Sequence, residues 1–303
     1  MIVLDISIVI INWNTKEFLA RCLQSLRKAG EDLESEVFVV DNASTDGSAA
    51  MVQEKFSWVQ LVENKKNVGF ARANNQAIGL SRGGYVLLLN SDTAVHQGAL
   101  ETLVQFMEVH PQAGGCGPRL LNPDGSLQSS CHPMLTPWRE FWRLMFLDRL
   151  WHRATYVQER WDQETPRRVE VIKGACLLLR RDALNQVGLL DERYFLYTEE
   201  MDLCYRLAQA GWELWWVPRA VVRHYGQASA KQMAEAMYVQ LYRSKVQFHR
   251  KYGSNRRARA FKVLLALAYF LRWIVAPAGR VFAPGLGLRA QTYRRLLTSL
   301  PDM

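Results

Sequence analysis

The feature that most constrains the fold is an apolar run that ends abruptly in polar residues. Its sequence is Tyr85-Val86-Leu87-Leu88-Leu89-Asn90-Ser91-Asp92. Five apolar or aromatic residues in succession are typical of a central parallel strand that is buried on both faces. Because open α/β sheets bind ligands beyond the carboxyl ends of such strands, Asp92 is predicted to lie where a metal-bound phosphate could be held. An ordinary turn is the alternative, since Asn, Ser and Asp end many strands.

Strand and helix patterns alternate along the part of the chain that leads to this run. The predicted strands are residues 5–12, 36–41 and 59–62, and helices are predicted after Asn14 or Thr15, up to Lys55 and after the loop at 64–75. Strands that alternate with helices predict an α/β domain, a mostly parallel sheet with helices on both faces.

The predicted strands end in acids and amides, where many nucleotide-binding sheets carry glycines. Neither a Gly-x-Gly-x-x-Gly nor a Gly-x-x-x-x-Gly-Lys-Ser/Thr motif occurs, which disfavours dinucleotide and P-loop enzymes. Asn12, Asp41 and Asp92 each end a strand. Such side chains suit a base edge, a ribose or a metal ion, and they would repel bare phosphate unless a cation lay between.

Positive charge is concentrated at the end of the chain. Residues 231–303 carry 14 Lys/Arg and two acids, a net charge of +12, whereas residues 1–230 carry 24 basic and 27 acidic residues. This asymmetry disfavours a nucleic-acid-binding protein and indicates that the tail contacts a separate anionic surface. We therefore expect a catalytic domain over 1–230 and a helical, basic region over 231–303.

The tail also holds the most apolar stretch of the chain, residues 260–276. Lys262 and Arg272 leave nine uninterrupted apolar residues between them, and a spanning helix needs about 20. Apolar and aromatic residues flanked by arginines are typical of a helix that lies in an anionic headgroup layer. Residues 138–143 are a second candidate contact. The alternative is an ordinary terminal helix packed on the catalytic domain.

The five cysteines are odd in number, widely spaced and without a Cys-x-x-Cys pair. This pattern suggests neither a disulfide framework nor a zinc site, and a reducing cytoplasm fits best. No cleavable leader is recognisable at the start, because Asp5 interrupts the apolar residues and no basic stretch precedes them. The expected location is the cytoplasm, at the inner face of the cell membrane.

Four motifs resemble the GT-A domain of family 2 glycosyltransferases, most closely the bacterial rhamnosyltransferase-like branch. They read VIINWN at 9–14, VVDNASTDGS at 39–48, NVGFARANN at 67–75 and LLLNSD at 87–92. The order of the motifs matches the family, and the resemblance covers roughly residues 5–252. It implies a sheet that binds a nucleoside-diphosphate sugar across its strand ends.

The resemblance also implies which residues hold the donor. Asn12 and Asp41 would hold the nucleotide base, Asp46 would lie near the nucleoside, and Arg72 and Asn74 would line the donor site. The other residues expected to bind the donor nucleotide are Asn14, Asn67, Gly69, Asn90 and Ser91. Gly174 and Ala175 resemble the strand that lies under the donor sugar.

Two further segments resemble the family's metal site. Asn90-Ser91-Asp92 stands where the family has Asp-x-Asp, so that Asp92 alone brings charge to a divalent ion. His224, followed by Gly226 and Ser229, resembles the closing histidine segment, whose imidazole reaches the metal or the diphosphate. A neutral imidazole is a reasonable ligand beside Asp92. The implied cofactor is Mg²⁺ or Mn²⁺.

Three acids crowd the start of a predicted helix: Glu199, Glu200 and Asp202. Thr198 is a suitable N-cap, and acids in the first turn favour the helix dipole, which could explain them without catalysis. Crowded carboxylates nevertheless raise one another's pKa, which suits a general base. By resemblance to the family's Glu-Asp motif, Glu200 is the preferred base, and Glu199 and Asp202 remain alternatives.

The implied reaction is inverting transfer of a sugar, with rhamnose a candidate, to a hydroxyl of a lipid-linked or saccharide acceptor in cell-envelope polysaccharide synthesis. A nucleotidyltransferase is one alternative, although residues 12–17 are not the Gly-rich basic loop expected of it. A membrane-associated protein that binds nucleotide sugars without catalysis is another. Asn90 and Glu200, which depart from the commonest motif residues, favour that alternative.

Overall fold

The computed structural model describes residues 5–29, 33–145, 154–226, 234–279 and 286–303. The chain divides into two compact units. Unit 1 comprises Met1–Met134, Val157–Phe195 and Glu199–Ser229, and unit 2 comprises Leu135–Tyr156, Leu196–Thr198 and Ala230–Met303. The predicted boundary between residues 230 and 231 falls outside the described residues.

The strands follow one another along unit 1. They are β1 (Ile6–Asn12), β2 (Ser35–Asp41), β3 (Val59–Glu63), β4 (Tyr85–Asn90), β5 (Thr93–Val95), β6 (Ala113–Leu121), β7 (Leu127–Gln128), β8 (Cys131–His132), β9 (Arg167–Arg168), β10 (Val171–Ile172), β11 (Cys176–Arg180) and β12 (Glu213–His224).

The helices are distributed over both units. In chain order they are α1 (Lys16–Ala29), α2 (Ser48–Lys55), α3 (Phe70–Leu80), α4 (Ala99–Val109), α5 (Pro137–Leu144), α6 (Arg181–Val187), α7 (Glu199–Gln209), α8 (Ala234–Tyr252), α9 (Asn255–Gly279) and α10 (Leu286–Ser299). Helices α5, α8, α9 and α10 belong to unit 2.

The main sheet has the order β3-β2-β1-β4-β11-β6-β12-β5. Strands β1 to β4 are mutually parallel, as the alternating pattern predicts. Strand β11 is antiparallel to both β4 and β6, β12 is parallel to β6, and β5 is antiparallel to β12. The short strands β7 and β9 pair antiparallel with β6 and β12 respectively, so the second half of the sheet is mixed.

Strand β1 lies in the core because its two faces are both covered. All seven of its residues are buried. Ile8 and Ile10 share a hydrophobic cluster with Leu23 of α1, while Val9, which points the other way, is buried on the face where α3 packs. Burial of one such aliphatic side chain contributes about 1.5–3 kcal/mol. The predicted placement of helices on both faces of the sheet is confirmed.

Strand β12 carries a histidine to the carboxyl end of β4. The register between β12 and β6 shifts between Val217 and Val221, which marks a bulge or irregularity at Pro218. Beyond it, His224 pairs with Thr93 of β5, and the amide of Tyr225 donates to the carbonyl of Asp92 at 2.9 Å. A residue more than a hundred positions away in the chain thereby joins the Asn90-Ser91-Asp92 segment.

Gly69 fixes the entry to α3. Its backbone angles, φ 87° and ψ 167°, belong to a region that is nearly exclusive to glycine. The next amide, of Phe70, donates to the carbonyl of Phe195 at 2.7 Å. A Cβ on Gly69 would lie 2.6 Å from that carbonyl oxygen, so only glycine allows this approach.

Unit 2 has its own core, formed where α8, α9 and α10 pack together. Phe261, Leu265 and Tyr269 of α9 are fully buried in it. A buried ion pair joins Lys245 Nζ to Glu140 Oε1 at 2.6 Å, and tethers α8 to α5. Among the described residues, no helix combines the length and apolar character that crossing a bilayer requires.

We predict that Gly69→Ala lowers the free energy of unfolding by at least about 1–3 kcal/mol, because alanine is strained at these angles and meets the Phe195 carbonyl. Gly79→Ala, in the helix that follows Gly69 and with no atom within 4 Å of an added Cβ, is the control. It should gain about 0.5–1 kcal/mol. Urea unfolding measures both, and equal stability of the two variants would contradict the proposed constraint.

Candidate active site

The ends of β1 and β2 bring Asn12 and Asp41 into contact. The two residues are paired in the parallel register, and both side chains are buried. Asn12 Nδ2 donates to Asp41 Oδ2 and to Ser44 Oγ, each at 3.0 Å. The other carboxylate oxygen of Asp41 accepts from the Ser44 amide at 2.8 Å. The two predicted base-binding residues therefore form one rigid polar cluster.

Asp46 and Asn14 join the loops that follow β1 and β2. Asp46 Oδ2 accepts from the Lys16 amide at 2.8 Å, and its Oδ1 accepts from the Ser48 amide at 3.0 Å. Burial acts to raise the pKa of Asp46, but the hydrogen bonds from Ser48 and Lys16 outweigh it and lower the pKa. Asn14, at φ 52°, accepts from the Thr45 amide at 2.7 Å. Both residues thus support the loop backbone.

Asn42 organises the third motif, although sequence reasoning assigned it no role. Its Nδ2 donates to Asn67 Oδ1 at 2.8 Å, and its Oδ1 accepts from the Val68 amide at 3.0 Å. Asn67 Oδ1 also accepts from the Gly69 amide at 3.0 Å. Asn67 and Gly69 are thereby held against the end of β2. A second amide side chain directly after Asp41 was the available signal.

The two α3 residues of the donor prediction have different surroundings. Arg72 is exposed and pairs with Glu192 at 3.8 Å. Asn74 is fully buried, and its Nδ2 donates to the Phe70 carbonyl one turn earlier at 2.8 Å. Its Oδ1 has no hydrogen-bond partner within the described part of the chain. A donor-binding role for either residue stays a prediction.

Asp92 and His224 meet beside Asn90. His224 Nε2 lies 3.2 Å from Asp92 Oδ1 and 3.4 Å from Asn90 Nδ2. Ser91 instead contacts the link between β1 and α1, with its hydroxyl 2.8 Å from that of Thr15. The predicted metal-binding pair is therefore brought together by the fold. Residues 227–229, which complete the histidine segment, lie outside the described residues.

Gln128 determines which nitrogen of His224 carries a hydrogen. Gln128 Nε2 donates to the His224 carbonyl at 3.1 Å and to Asn122 Oδ1 at 2.8 Å, which fixes the orientation of the amide. Its Oε1, which can only accept, lies 2.6 Å from His224 Nδ1, so Nδ1 donates there. In a neutral ring, the lone pair of Nε2 then faces the Asp92 carboxylate.

This arrangement fits a divalent cation. Two acceptor atoms 3.2 Å apart repel each other unless a proton or a metal ion lies between them. A histidine whose second nitrogen donates to a protein oxygen is the usual form of a metal-ligating histidine. Within the described ranges no group of three or more His, Cys, Asp or Glu side chains could hold a metal. Asp92 and His224 would be two of the ligands of such an ion.

The three acids of α7 have different environments. Asp202 is fully buried, and accepts from Arg206 Nε at 2.9 Å. Arg206 also donates to the carbonyls that precede α7. Glu199 is buried as well, and burial together with the Glu200 carboxylate raises its pKa well above the ordinary value. Glu200 is partly exposed. Of the three acids, Glu200 is the least buried, although its Oε2 atom is itself buried.

Gly174 and Ala175 lie between Glu200 and the Asn90 segment. A Cβ on Gly174 would lie 3.6 Å from Glu200 Cβ. The carbonyl of Ala175 accepts from the Asn90 amide at 3.0 Å. The segment Gly174-Ala175 therefore contacts both the candidate base and the segment that carries the candidate metal ligand Asp92.

The backbone is strained just before α7. Tyr197 and Thr198 have φ values of 67° and 75°, in the left-handed region. An N-cap residue usually takes extended angles, so Thr198 differs from the capping geometry that the sequence predicts. Such conformations cost about 1–3 kcal/mol each and are concentrated at functional sites.

Comparison with known proteins identifies the fold and the family. The model of glycosyl transferase family 2 matches residues 7–188. An N-acetylglucosaminyl-diphospho-decaprenol L-rhamnosyltransferase of Mycobacterium tuberculosis is 34% identical over 233 residues, which cover 72% of this chain and 75% of the relative.

Solved structures of glycosyltransferases share the fold at low sequence identity. The mannosyltransferase PcManGT from Pyrobaculum calidifontis, in complex with GDP-Man and Mn²⁺, aligns with a TM-score of 0.58 and 16% identity, and the alignment covers 100% of this chain and 87% of that one. GalNAc-T7 with UDP, GalNAc and Mn²⁺ aligns with a TM-score of 0.56 and 17% identity, over 82% and 51%.

The family match spans more than half of the chain, and the rhamnosyltransferase alignment extends it to nearly three quarters. The four motifs, the sheet and the structural neighbours agree with it, and the GT-A fold expected from the motifs is confirmed. The chain belongs to glycosyl transferase family 2 and is a rhamnosyltransferase-like glycosyltransferase.

Proposed function

We propose that the protein transfers a sugar, with rhamnose the first candidate, from a nucleoside diphosphate to a hydroxyl of a lipid-linked saccharide, with inversion at the anomeric carbon and with a divalent metal. The observation that carries this proposal is the His224–Asp92 pair, whose facing acceptor atoms leave a place for a cation. The mycobacterial relative is named for a diphospho-decaprenol substrate and an L-rhamnosyl group, which supports the choice of sugar and acceptor.

The donor is held by residues at the strand ends. Asn12 and Asp41 contact the nucleotide base, within a cluster that the protein has already ordered. Asp92 and His224 would hold Mg²⁺ or Mn²⁺ near the diphosphate. A metal ion bound there would neutralise the negative charge that develops on the leaving nucleoside diphosphate.

Glu200 serves as the base. It takes the proton of the acceptor hydroxyl as that oxygen forms its bond to the anomeric carbon. The bond between that carbon and the diphosphate oxygen breaks, and the diphosphate leaves with the electron pair. One displacement from the opposite side inverts the carbon and needs no covalent intermediate. Burial and the Glu200 carboxylate raise the pKa of Glu199, which favours its protonated form beside the base.

We predict that Glu200→Gln lowers the transfer rate by about 10²–10⁴-fold, because a general base contributes that much. Donor binding, measured by calorimetry with a nucleoside diphosphate and Mn²⁺, should remain, and so should the melting temperature. Asp202→Asn is the contrasting variant. It removes the charge that balances Arg206, so its main effect should be a lower melting temperature. An active Glu200→Gln would assign the base to another acid.

We predict that Asp92→Ala abolishes metal-dependent transfer, and that Gln128→Leu weakens Mn²⁺ binding about 10- to 100-fold, because it releases the His224 ring. Electron paramagnetic resonance titration of Mn²⁺ with nucleoside diphosphate measures the affinity. Gln53→Leu, at an exposed glutamine of α2 that donates to Glu63, is the matched control and should bind Mn²⁺ normally. Unchanged Mn²⁺ affinity in both Asp92→Ala and Gln128→Leu would show that the metal does not bind at Asp92 and His224.

We also propose that α9 lies on an anionic membrane surface from the cytoplasmic side. One face of α9 packs in unit 2, and the other exposes apolar residues at spacings of three and four. These exposed residues are Val263, Leu267, Phe270, Leu271, Trp273 and Ile274, which we call the α9 stripe. A large apolar patch on a surface helix is typical of a site that contacts a membrane or a partner.

Charge favours the membrane as the partner of the α9 stripe. Arg256 and Arg259, both exposed, stand seven and four residues before Val263 and prolong the same helix face. Lys262 and Arg272 interrupt the apolar sequence, but they donate to backbone carbonyls of unit 2, Lys262 to Pro301 and Arg272 to Leu144. The stripe is thus apolar throughout, beside cations that suit anionic headgroups.

We predict that the double variant Leu267→Ser/Leu271→Ser reduces flotation with vesicles of phosphatidylglycerol and phosphatidylcholine by roughly tenfold or more, since two leucines leave the bilayer. Leu80→Ser is the control, because Leu80 in unit 1 is as exposed as Leu267, 59% against 58%. Wild-type binding should weaken with salt. Equal binding to neutral and anionic vesicles would contradict this proposal.

A further inference from the structure

Two arginines project from neighbouring strands at the carboxyl end of the second half of the sheet. Arg119 of β6 pairs with Val221 of β12, and Arg223 lies two residues further along β12. Because side chains alternate across a strand, Arg119 and Arg223 share one face of the sheet. His96 follows β5, and its amide donates to the Val221 carbonyl at 3.2 Å, so it borders the same pair of strands.

The face that carries these arginines is the face covered by α7. Gly117, two residues before Arg119, points the same way, and a Cβ on it would lie 2.4 Å from Ile172 Cγ2 of β10. Strand β10 is in turn packed against α7, the helix that begins at Glu199 and Glu200. His224, which follows Arg223 directly, points to the opposite face. The arginines are therefore on the side of the candidate base.

In the part of the chain that the structure describes, each of the two guanidinium groups has an Nε atom without a partner. Both side chains are half-buried, and both Nε atoms are buried without a hydrogen-bond partner in the described ranges. No described acid forms an ion pair with either arginine. Arg180, by contrast, is also half-buried in unit 1, but its Nε donates to the Ala113 carbonyl at 2.9 Å. Buried polar atoms in folded proteins almost always have partners, so a ligand is the natural explanation.

The shift in the pKa of His96 is consistent with an excess of positive charge around the two arginines. Burial lowers its pKa, and the charges of Arg223 and Arg119 lower it further. His96 is thus a neutral donor beside two cations. Guanidinium groups bind phosphate oxygens through paired, charge-assisted hydrogen bonds, so a phosphate group suits this pair of arginines.

We propose that Arg119, Arg223 and His96 bind the diphosphate of the acceptor. This assignment rests on the proposed function, in which the acceptor carries a diphosphate near the sugar that Glu200 deprotonates. The donor diphosphate is assigned to Asp92 and His224, where a metal balances its charge. The acceptor arrives on the side of Glu200, and the arginines balance its charge without a metal.

The test measures binding of butyl diphosphate by calorimetry with EDTA present, so that the metal-dependent donor site does not contribute. Wild-type protein should bind, and Arg119→Met/Arg223→Met should bind on the order of 10- to 100-fold more weakly, as loss of charged hydrogen bonds implies. Arg219→Met is the matched control, an exposed arginine of β12 that pairs with Glu164. It should bind as the wild type does.

Two further measurements separate this role from a structural role and from the donor site. Butyl diphosphate should raise the melting temperature of the wild type and not of the double variant, which should itself melt no lower than the unliganded wild type. Binding of nucleoside diphosphate with Mn²⁺ should be the same in all variants. If the double variant does not fold, Arg223→Lys replaces it and should show weaker butyl diphosphate binding with normal nucleotide binding.

Three results would overturn the proposal. They are absence of butyl diphosphate binding by the wild type, undiminished binding by the folded arginine variant, and equal loss of butyl diphosphate and nucleotide binding, which would assign the arginines to the donor. None of these measurements requires sugar transfer. Failure of the proposed transfer reaction would therefore appear as absent turnover with intact binding, and the two failures are distinguishable.

Discussion

The parallel pairing of β1 with β2 and β4 is the constraint on which the site depends. A strand whose residues are all buried must have partners for every backbone amide and carbonyl, and β1 finds them on both sides. In that register, Asn12 lies opposite Asp41, and Ile11 lies opposite Asn90. Three polar residues that are far apart in sequence therefore arrive at one edge. Their position is a consequence of core packing.

The first half of this sheet was predicted well from the sequence, because the residues that define each strand and its polar end are adjacent in the chain. Each motif consists of an apolar strand followed directly by its polar end, so Asn12, Asp41 and Asp92 could be placed before any contact was known. The helices that follow these strands require parallel crossovers, which fix the strand direction. The pairing of His224 with Asp92, by contrast, was predicted only through the family resemblance.

The second half could not be predicted in the same way, because its contacts are made at long range. Gln128 meets His224 across 96 positions, and nothing in the short turn before β7 indicates this. Strand β11 is preceded by a stretch without a regular pattern of helix or strand residues. That stretch does not require a parallel crossover, so the sequence does not indicate that β11 is antiparallel. Arg206 donates to Asp202 from one helical turn further along α7, and the crowding of the acids does not indicate this partner. In each case, the deciding partner lies on another element or one helical turn away.

The polar groups of the two halves differ in a way that bears on how the site works. On the proposed donor side, Asn12, Asp41 and Asn42 are held by hydrogen bonds within the protein, so a base bound there would meet a surface that is already ordered. Little conformational entropy remains to be lost there on binding.

On the proposed acceptor side, two buried polar atoms, Nε of Arg119 and Nε of Arg223, lack partners within the described residues. An unpaired buried polar group destabilises the folded protein, and an anionic ligand that binds it removes that penalty. If the acceptor diphosphate binds these arginines as we propose, the acceptor completes this half of the site, whereas the proposed donor side is already ordered before a nucleotide binds.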